Sequence, residues 1–202
     1  MTNPVTQPQQ GRAFERVLVL GATGMIGAHI VRACLERGWA TRALVRATSD
    51  RRNLDALPVQ IAEGDLHDPA SIARALEDCD LLLHAAAPYP RRHFGKAALI
   101  ASARESMENL LATWAAHCRA LGRGRMVYVS SVTTLNPVRD SAPYFELKQM
   151  LEALAMEAAD PGRSGARTGA EASIEARAQS ATEAGAEAGK DIVVVNPTFC
   201  ID

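Results

Sequence analysis

Arg16-Val17-Leu18-Val19-Leu20-Gly21-Ala22-Thr23-Gly24-Met25-Ile26-Gly27 decides the fold of this 202-residue chain. A short apolar run enters a glycine-rich turn, and Ile30, Val31, Cys34 and Leu35 then recur at helical spacing. Strand, turn and helix in that order make a cradle for the phosphates of a dinucleotide, because the free amides at the start of the helix face an anion. In this reading Gly21 permits the tight turn and Gly24 lets backbone approach a pyrophosphate without a Cβ in the way. Gly27 lets the helix pack closely on the strand. Thr23, Met25 and Ile26 complete the expected cofactor loop. The competing reading is an ordinary strand-to-helix turn, since the spacing is GxxGxxG and the chain holds 14 glycines.

Working outward, short Val, Leu and Ile runs at 16–20, 41–45, 59–62, 80–85, 125–129 and 191–195 read as six strands. Helical patterns at 69–77, 96–118 and 143–159 fall between them, the first opened by Asp68 as a cap with Pro69 behind it. Apolar strands alternating with amphipathic helices imply an α/β fold with a doubly wound parallel sheet, covered on both faces by the crossover helices. The expected organisation is a disordered tail over 1–14 and one Rossmann domain over 15–202. That domain is interrupted at about 161–190 by a segment of mostly Ala, Gly, Glu, Arg, Ser and Thr, whose only large apolar side chain is Ile174. Such a composition cannot build a core and reads as a solvent-exposed insertion.

A composition with 48% hydrophobic and 22% charged residues is that of a globular domain, and a net charge of -1 argues against nucleic acid or a membrane surface as partner. The sign is uneven, with eight arginines against four acids in residues 1–60. Cys34, Cys79, Cys118 and Cys200 form no CxxC pair and follow no secretion signal, which suits reduced thiols in the cytoplasm. His29, His67, His93 and His117 show no metal-ligand spacing, so no metal is assigned.

The residues suited to chemistry follow the fifth strand. Val129-Ser130-Ser131 ends it, and thirteen residues beyond Ser131 stands Tyr144-Phe145-Glu146-Leu147-Lys148. Tyr144 and Lys148, at i and i+4, share one helix face. The carboxyl ends of the strands form the ligand crevice of a doubly wound sheet, so Ser131 belongs at its mouth. A phenol, with a reference pKa of roughly 10, needs a neighbouring cation to act as an acid or base near neutrality. Lowering it by about three pH units requires roughly 4 kcal/mol, within reach of a partly desolvated ammonium and a helix N-terminus. Taken alone, a YxxxK spacing is equally an accident of a surface helix; the serine at a strand end favours the chemical reading.

The glycine loop, Val129-Ser130-Ser131, Tyr144xxxLys148 and Val195-Asn196-Pro197-Thr198 together resemble a short-chain dehydrogenase/reductase. Arg42 to Arg46, Glu63-Gly64-Asp65-Leu66 and His84-Ala85-Ala86-Ala87 are most similar to the extended branch, the NAD-dependent epimerase/dehydratase family that includes dihydroflavonol-reductase-like enzymes. The resemblance implies catalytic roles for Ser131 on a substrate carbonyl, Tyr144 as proton donor or acceptor, and Lys148 on both Tyr144 and the nicotinamide ribose. It also implies that Asp65 and Leu66 flank the adenine and that Ala85, Ala86 and Ala87 line the riboses. Pro197 and Thr198 would lie near the nicotinamide amide. Asp65 equally suits a loop cap, the alanines a packed strand end, and His84 a structural strand-end role.

An acid after the second strand would accept from a ribose 2′-hydroxyl, whereas a 2′-phosphate needs cations. Arg46 stands there, followed by Thr48, Ser49, Arg51 and Arg52, so NADP is the expected cofactor; Asp50 keeps NAD in view.

Departures from the family pattern also follow. Alignment on Asn109 places Ala103 where the extended branch carries an Asn, and Leu147 stands where a small hydroxyl residue is usual. The sequence stops at Asp202, short of the substrate lobe of extended members, so the crevice is expected to be open, with Tyr89, Arg91, Arg92 and His93 as a partial lid or a solvated basic loop. The expected function is an NAD(P)-dependent oxidoreductase acting on a small carbonyl or alcohol. A nucleotide-sugar epimerase or dehydratase, a non-catalytic NAD(P)-binding sensor and a truncated remnant are the alternatives. Trp114 and its neighbours suit a homodimer face or the core.

Overall fold

The strand that precedes the glycine turn lies at the centre of the sheet. In the computed structural model, which describes residues 14, 16–88, 95–134, 143–159 and 191–196, all six expected strands form. They are β1 (Arg16–Leu20), β2 (Ala40–Val45), β3 (Gln60–Glu63), β4 (Leu81–His84), β5 (Arg125–Val129) and β6 (Asp191–Val195). The helices are α1 (Met25–Glu36), α2 (Pro69–Leu76), α3 (Lys96–Leu121) and α4 (Pro143–Ala159). The stretches 1–13, 89–94, 135–142, 160–190 and 197–202 are outside the described residues, as is Phe14's neighbour at 15. The expected insertion and lid, the tail apart from Phe14, and with them Cys200, Pro197 and Thr198, therefore fall outside the described structure, whereas Phe14 packs edge-on to Trp39.

Every strand pairing is parallel, in the order β3-β2-β1-β4-β5-β6. The chain leaves β1 toward one edge through β2 and β3, then returns to β1's other side and proceeds outward through β4, β5 and β6. That reversal opens a crevice beyond the carboxyl ends of β1 and β4, which are in register with Leu20 opposite His84.

Side-chain alternation along β1 divides the core in two. Val17 and Val19 pack with Val31, Cys34, Ala43 and Val45 beneath α1. Leu18 and Leu20 face the other way, into a larger cluster with Ile72, Met107, Leu110, Tyr128 and Leu147 from α2, α3, β5 and α4. Covering both faces removes water from the sheet, which is why its strands read as continuous apolar runs. Trp114 is 2% exposed within the second cluster, which settles its place in the core. Cys34, Cys79 and Cys118 are buried free thiols, each raised to about 11 chiefly by burial.

Local chemistry sets the ends of the elements. Asp68 caps α2, its side chain accepting from the Ala70 amide at 3.0 Å with Pro69 behind it. Gly122, at φ 71°, closes α3 and donates its amide to the Cys118 carbonyl at 2.8 Å. Among the described residues no helix is long and apolar enough to cross a membrane.

Candidate active site

The turn after β1 is built by absences. Gly21 sits at φ +77°, and a Cβ there would stand 2.6 Å from the Ala86 amide nitrogen. A Cβ on Gly27 would stand 2.0 Å from the Gly21 carbonyl oxygen, so helix and turn touch backbone to backbone. Gly24 differs: a Cβ there would meet only the Gly21 carbonyl oxygen, at 3.4 Å, with open space beyond. Gly24 is also the N-cap of α1 and has no side-chain cap, leaving the first helical amides to a ligand.

These features open onto a cleft of about 350 Å³ at the crossover point of the sheet. Gly21, Thr23, Gly24, Arg46, Asp65, Leu66, Ala85, Ala86 and Ala87 all line it. Nine residues expected at a cofactor thus meet in one concavity. Met25, Ile26 and Gly27 do not line it; they form the first turn of α1, with Gly27 buried. The glycine loop is braced by a residue the sequence did not single out: Asn53 donates from Nδ2 to the Thr23 carbonyl at 2.9 Å. Asp65 forms the loop cap offered as one reading of it. One carboxylate oxygen accepts from the His67 amide at 2.9 Å, while the residue lines the cleft.

The basic stretch after β2 divides in its roles. Arg46 and Ser49 line the cleft. Arg51 is ion-paired to Glu63 and Arg52 to Asp50, so both guanidiniums already hold carboxylates. Asp50 lies below the usual carboxylate range because the Arg52 side chain and backbone donate to it.

Beside the cleft, at the end of β5, stand the residues expected to do chemistry. Ser131 is half-buried and opens a short 3₁₀ turn over Val132–Thr134, its carbonyl accepting from the Thr134 amide at 3.1 Å. Tyr144, in the first turn of α4, is half-buried with its ring edge-on to Phe145. Lys148 is only 5% exposed, and its Nζ donates to the Val129 carbonyl at 3.3 Å while overlying the Tyr128 ring at 5.5 Å. Burial lowers its pKa to about 8, against the upward pull of the Glu152 carboxylate. Ser131, expected at the mouth of the crevice, does not line the cleft, nor do Tyr144 and Lys148; Leu151, on the next turn of α4, does.

Two buried groups join the halves of the site. His84, at the end of β4, lines the cleft and packs its ring 5.2 Å from Tyr128. Burial, reinforced by the charge of Lys148, depresses it to about 3 and keeps it neutral. The Tyr128 phenol is pushed up by burial and the neighbouring Glu152, and its hydroxyl has no hydrogen-bond partner among the described residues. Glu152 accepts from Ser130 Oγ at 2.6 Å.

A family model for the NAD dependent epimerase/dehydratase family matches residues 17–162, well over half of the sequence. The chain belongs to that family. Among its relatives is a putative dihydroflavonol 4-reductase of Synechocystis, 38% identical over 117 residues, which cover 58% of this chain and 33% of the relative. A ceramide reductase of Caulobacter vibrioides is 30% identical over 145 residues, covering 72% of this chain and 43% of the relative. This family member therefore spans less than half the length of those two curated relatives. The crystal structure of gox2253 superposes with a TM-score of 0.62 at 31% identity, covering 71% of this chain and 47% of that one. A Thermus thermophilus UDP-glucose 4-epimerase in complex with NAD superposes with a TM-score of 0.56 at 26% identity, covering 70% and 50%.

Within this epimerase/dehydratase member, Ala103 is 2% exposed and lines the cleft, so α3 offers a methyl group at that point of the wall. Ser106, one turn later, also lines it but spends its hydroxyl on the Ala103 carbonyl at 3.0 Å. Glu152 and Ser130 carried no expectation beforehand. The signal for Glu152 was available, because positions 144, 148 and 152 repeat at i+4 on one face of α4.

Proposed function

We propose that this chain is an NAD(P)-dependent oxidoreductase, preferring NADP(H), that interconverts a small carbonyl compound and its alcohol. The observation that carries the reading is the contiguity of cleft and helix. Leu151 of α4 lines the same concavity as the glycine loop, one turn beyond the Tyr144 and Lys148 face. The fit to a dinucleotide rests on the bare turn at Gly21 and Gly24 and the uncapped start of α1, where free amides meet a diphosphate. Arg46 supports NADP(H), because it lines the cleft at the end of β2, where a 2′-phosphate calls for a cation.

A bound nicotinamide supplies the hydride. The chain's own residues do the rest. The Ser131 hydroxyl donates to the substrate carbonyl oxygen and orients it. Tyr144 holds the proton that this oxygen receives on reduction and takes it back on oxidation. The ammonium of Lys148, desolvated against β5, lies one turn along the Tyr144 face of α4, where a cation assists that transfer. The alanines at 85–87 keep the cleft wall low beside the riboses.

The test is turnover of NADPH with a panel of aldehydes and ketones. Tyr144→Phe should lower kcat by about 10³-fold while leaving NADPH affinity unchanged. A Tyr144→Phe chain that turns over like the parent would remove the proposed chemistry. A nucleotide-sugar epimerase or dehydratase is the second reading, favoured by the likeness to the NAD-complexed UDP-glucose 4-epimerase. Release of stoichiometric NAD from the purified, denatured chain would support it, because such chemistry returns the hydride to its source.

A further inference from the structure

Lys148 and Glu152 are both nearly buried, at 5% and 8% exposure, and lie one turn apart on α4. Each attaches to consecutive residues at the carboxyl end of β5: Lys148 Nζ donates to the Val129 carbonyl at 3.3 Å, and Glu152 accepts from Ser130 Oγ at 2.6 Å. A buried ammonium without a counter-charge is costly, and a single carbonyl provides only a dipole. We propose that Glu152 is the positioning residue for Lys148: anchored by Ser130, its carboxylate balances the buried ammonium and holds it at the end of β5. This rests on the reading that Lys148 serves Tyr144.

Among the described residues, Glu152 is the carboxylate that faces Lys148. Facing Lys148 are His84 from β4, Tyr128 from β5 and Glu152 from α4, while Tyr144 faces Tyr128 from the first turn of the same helix. His84 stays neutral and the phenol of Tyr128 stays protonated, both through burial. On α3, which packs against α4, Ala103 offers no polar group, and the Ser106 hydroxyl is bonded within the helix. Ser130 is thereby assigned a part as well, as the donor that fixes the carboxylate.

The experiment follows the Lys148 ¹³Cε resonance of the full chain through a pH titration, in parent, Glu152→Gln and Glu152→Asp. Gln can still accept from Ser130 and keeps the shape, so only the charge is lost. The Lys148 midpoint should fall by about one pH unit, about a tenfold larger neutral fraction at a given pH. Glu152→Asp, which retains the charge, should recover most of that fall. The alkaline limb of the kcat profile should move to lower pH by the same amount in Glu152→Gln. A Lys148 midpoint equal in parent and Glu152→Gln overturns the proposal, as does an equal fall in Gln and Asp, which would mark a packing role alone. Failure of the catalytic reading shows separately, as turnover retained by Tyr144→Phe, and leaves the resonance measurement intact.

Discussion

Gly27 and Gly21 touch through backbone alone: a Cβ on Gly27 would stand 2.0 Å from the Gly21 carbonyl oxygen. The contact fixes how deeply α1 sits on β1, and so where its free amides point. Gly21 opens the turn and Gly27 lies in the first turn of α1, and between them Gly24 donates its amide to the Gly21 carbonyl at 3.0 Å. Gly27→Ala must push helix and turn apart, and overpacking of this kind costs about 3 kcal/mol. A urea midpoint lowered accordingly, together with loss of NADPH binding, is the expected outcome. Parent-like stability would mean that the backbone yields more easily than this contact implies.

Arg46 is the cleft-lining member of the basic stretch, whereas Arg51 and Arg52 hold Glu63 and Asp50. A charge-assisted bond to a 2′-phosphate contributes about 2 kcal/mol, so Arg46→Ala should weaken NADPH binding by about 30-fold and leave NADH nearly untouched. Arg52→Ala should change neither, because its guanidinium is exposed and paired beside the cleft. Fluorescence titration of the three chains with both cofactors checks the ordering.

His84 is buried neutral, with its pKa depressed from 6.5 to about 3. In the unfolded chain it takes up a proton near its ordinary value, so the unfolded state binds more protons between those limits. Stability contributed by the neutral form is therefore present above about pH 6.5 and lost as pH falls toward 3. His84→Leu should lose less stability than the parent between pH 7.5 and 4.5, compared by urea midpoints. Equal losses would refute the assignment of acid sensitivity to this ring.

Asn53 braces the glycine loop through a single bond to the Thr23 carbonyl at 2.9 Å. It is exposed, so its removal should cost little stability. Loosening the loop by about 0.7 kcal/mol raises the NADPH dissociation constant about threefold. Asn53→Ala binding as tightly as the parent would show that the loop is held by its glycine contacts alone.

The sheet was readable in the sequence because buried parallel strands are apolar on both faces. β1, β5 and β6 match the expected limits, and β2, β3 and β4 differ by one residue at their ends, where fraying and caps act. The glycine turn was equally legible, since each glycine answers a local steric demand. Less legible were features formed by distant partners. Arg42 lies in the middle of β2 yet is 6% exposed, with its guanidinium donating to the Ala75 and Glu77 carbonyls at 2.6 and 2.8 Å. It closes the end of α2, a role that depends on a crossover bringing 42 beside 75. The same limit applies to Arg51, whose neighbours suggested a phosphate but whose partner Glu63 comes from β3. On α4 the sequence gives the shared face of Tyr144, Lys148 and Glu152, whereas the burial of Lys148 and Glu152 emerges only once β5 packs against it.

The central claim is that the concavity beyond β1 and β4 holds the diphosphate of a nicotinamide dinucleotide. Its most direct measurement is titration of the purified chain with NADPH and NADH, following nicotinamide fluorescence. The account predicts saturable binding of both, with NADPH the tighter. Binding of neither cofactor would contradict it.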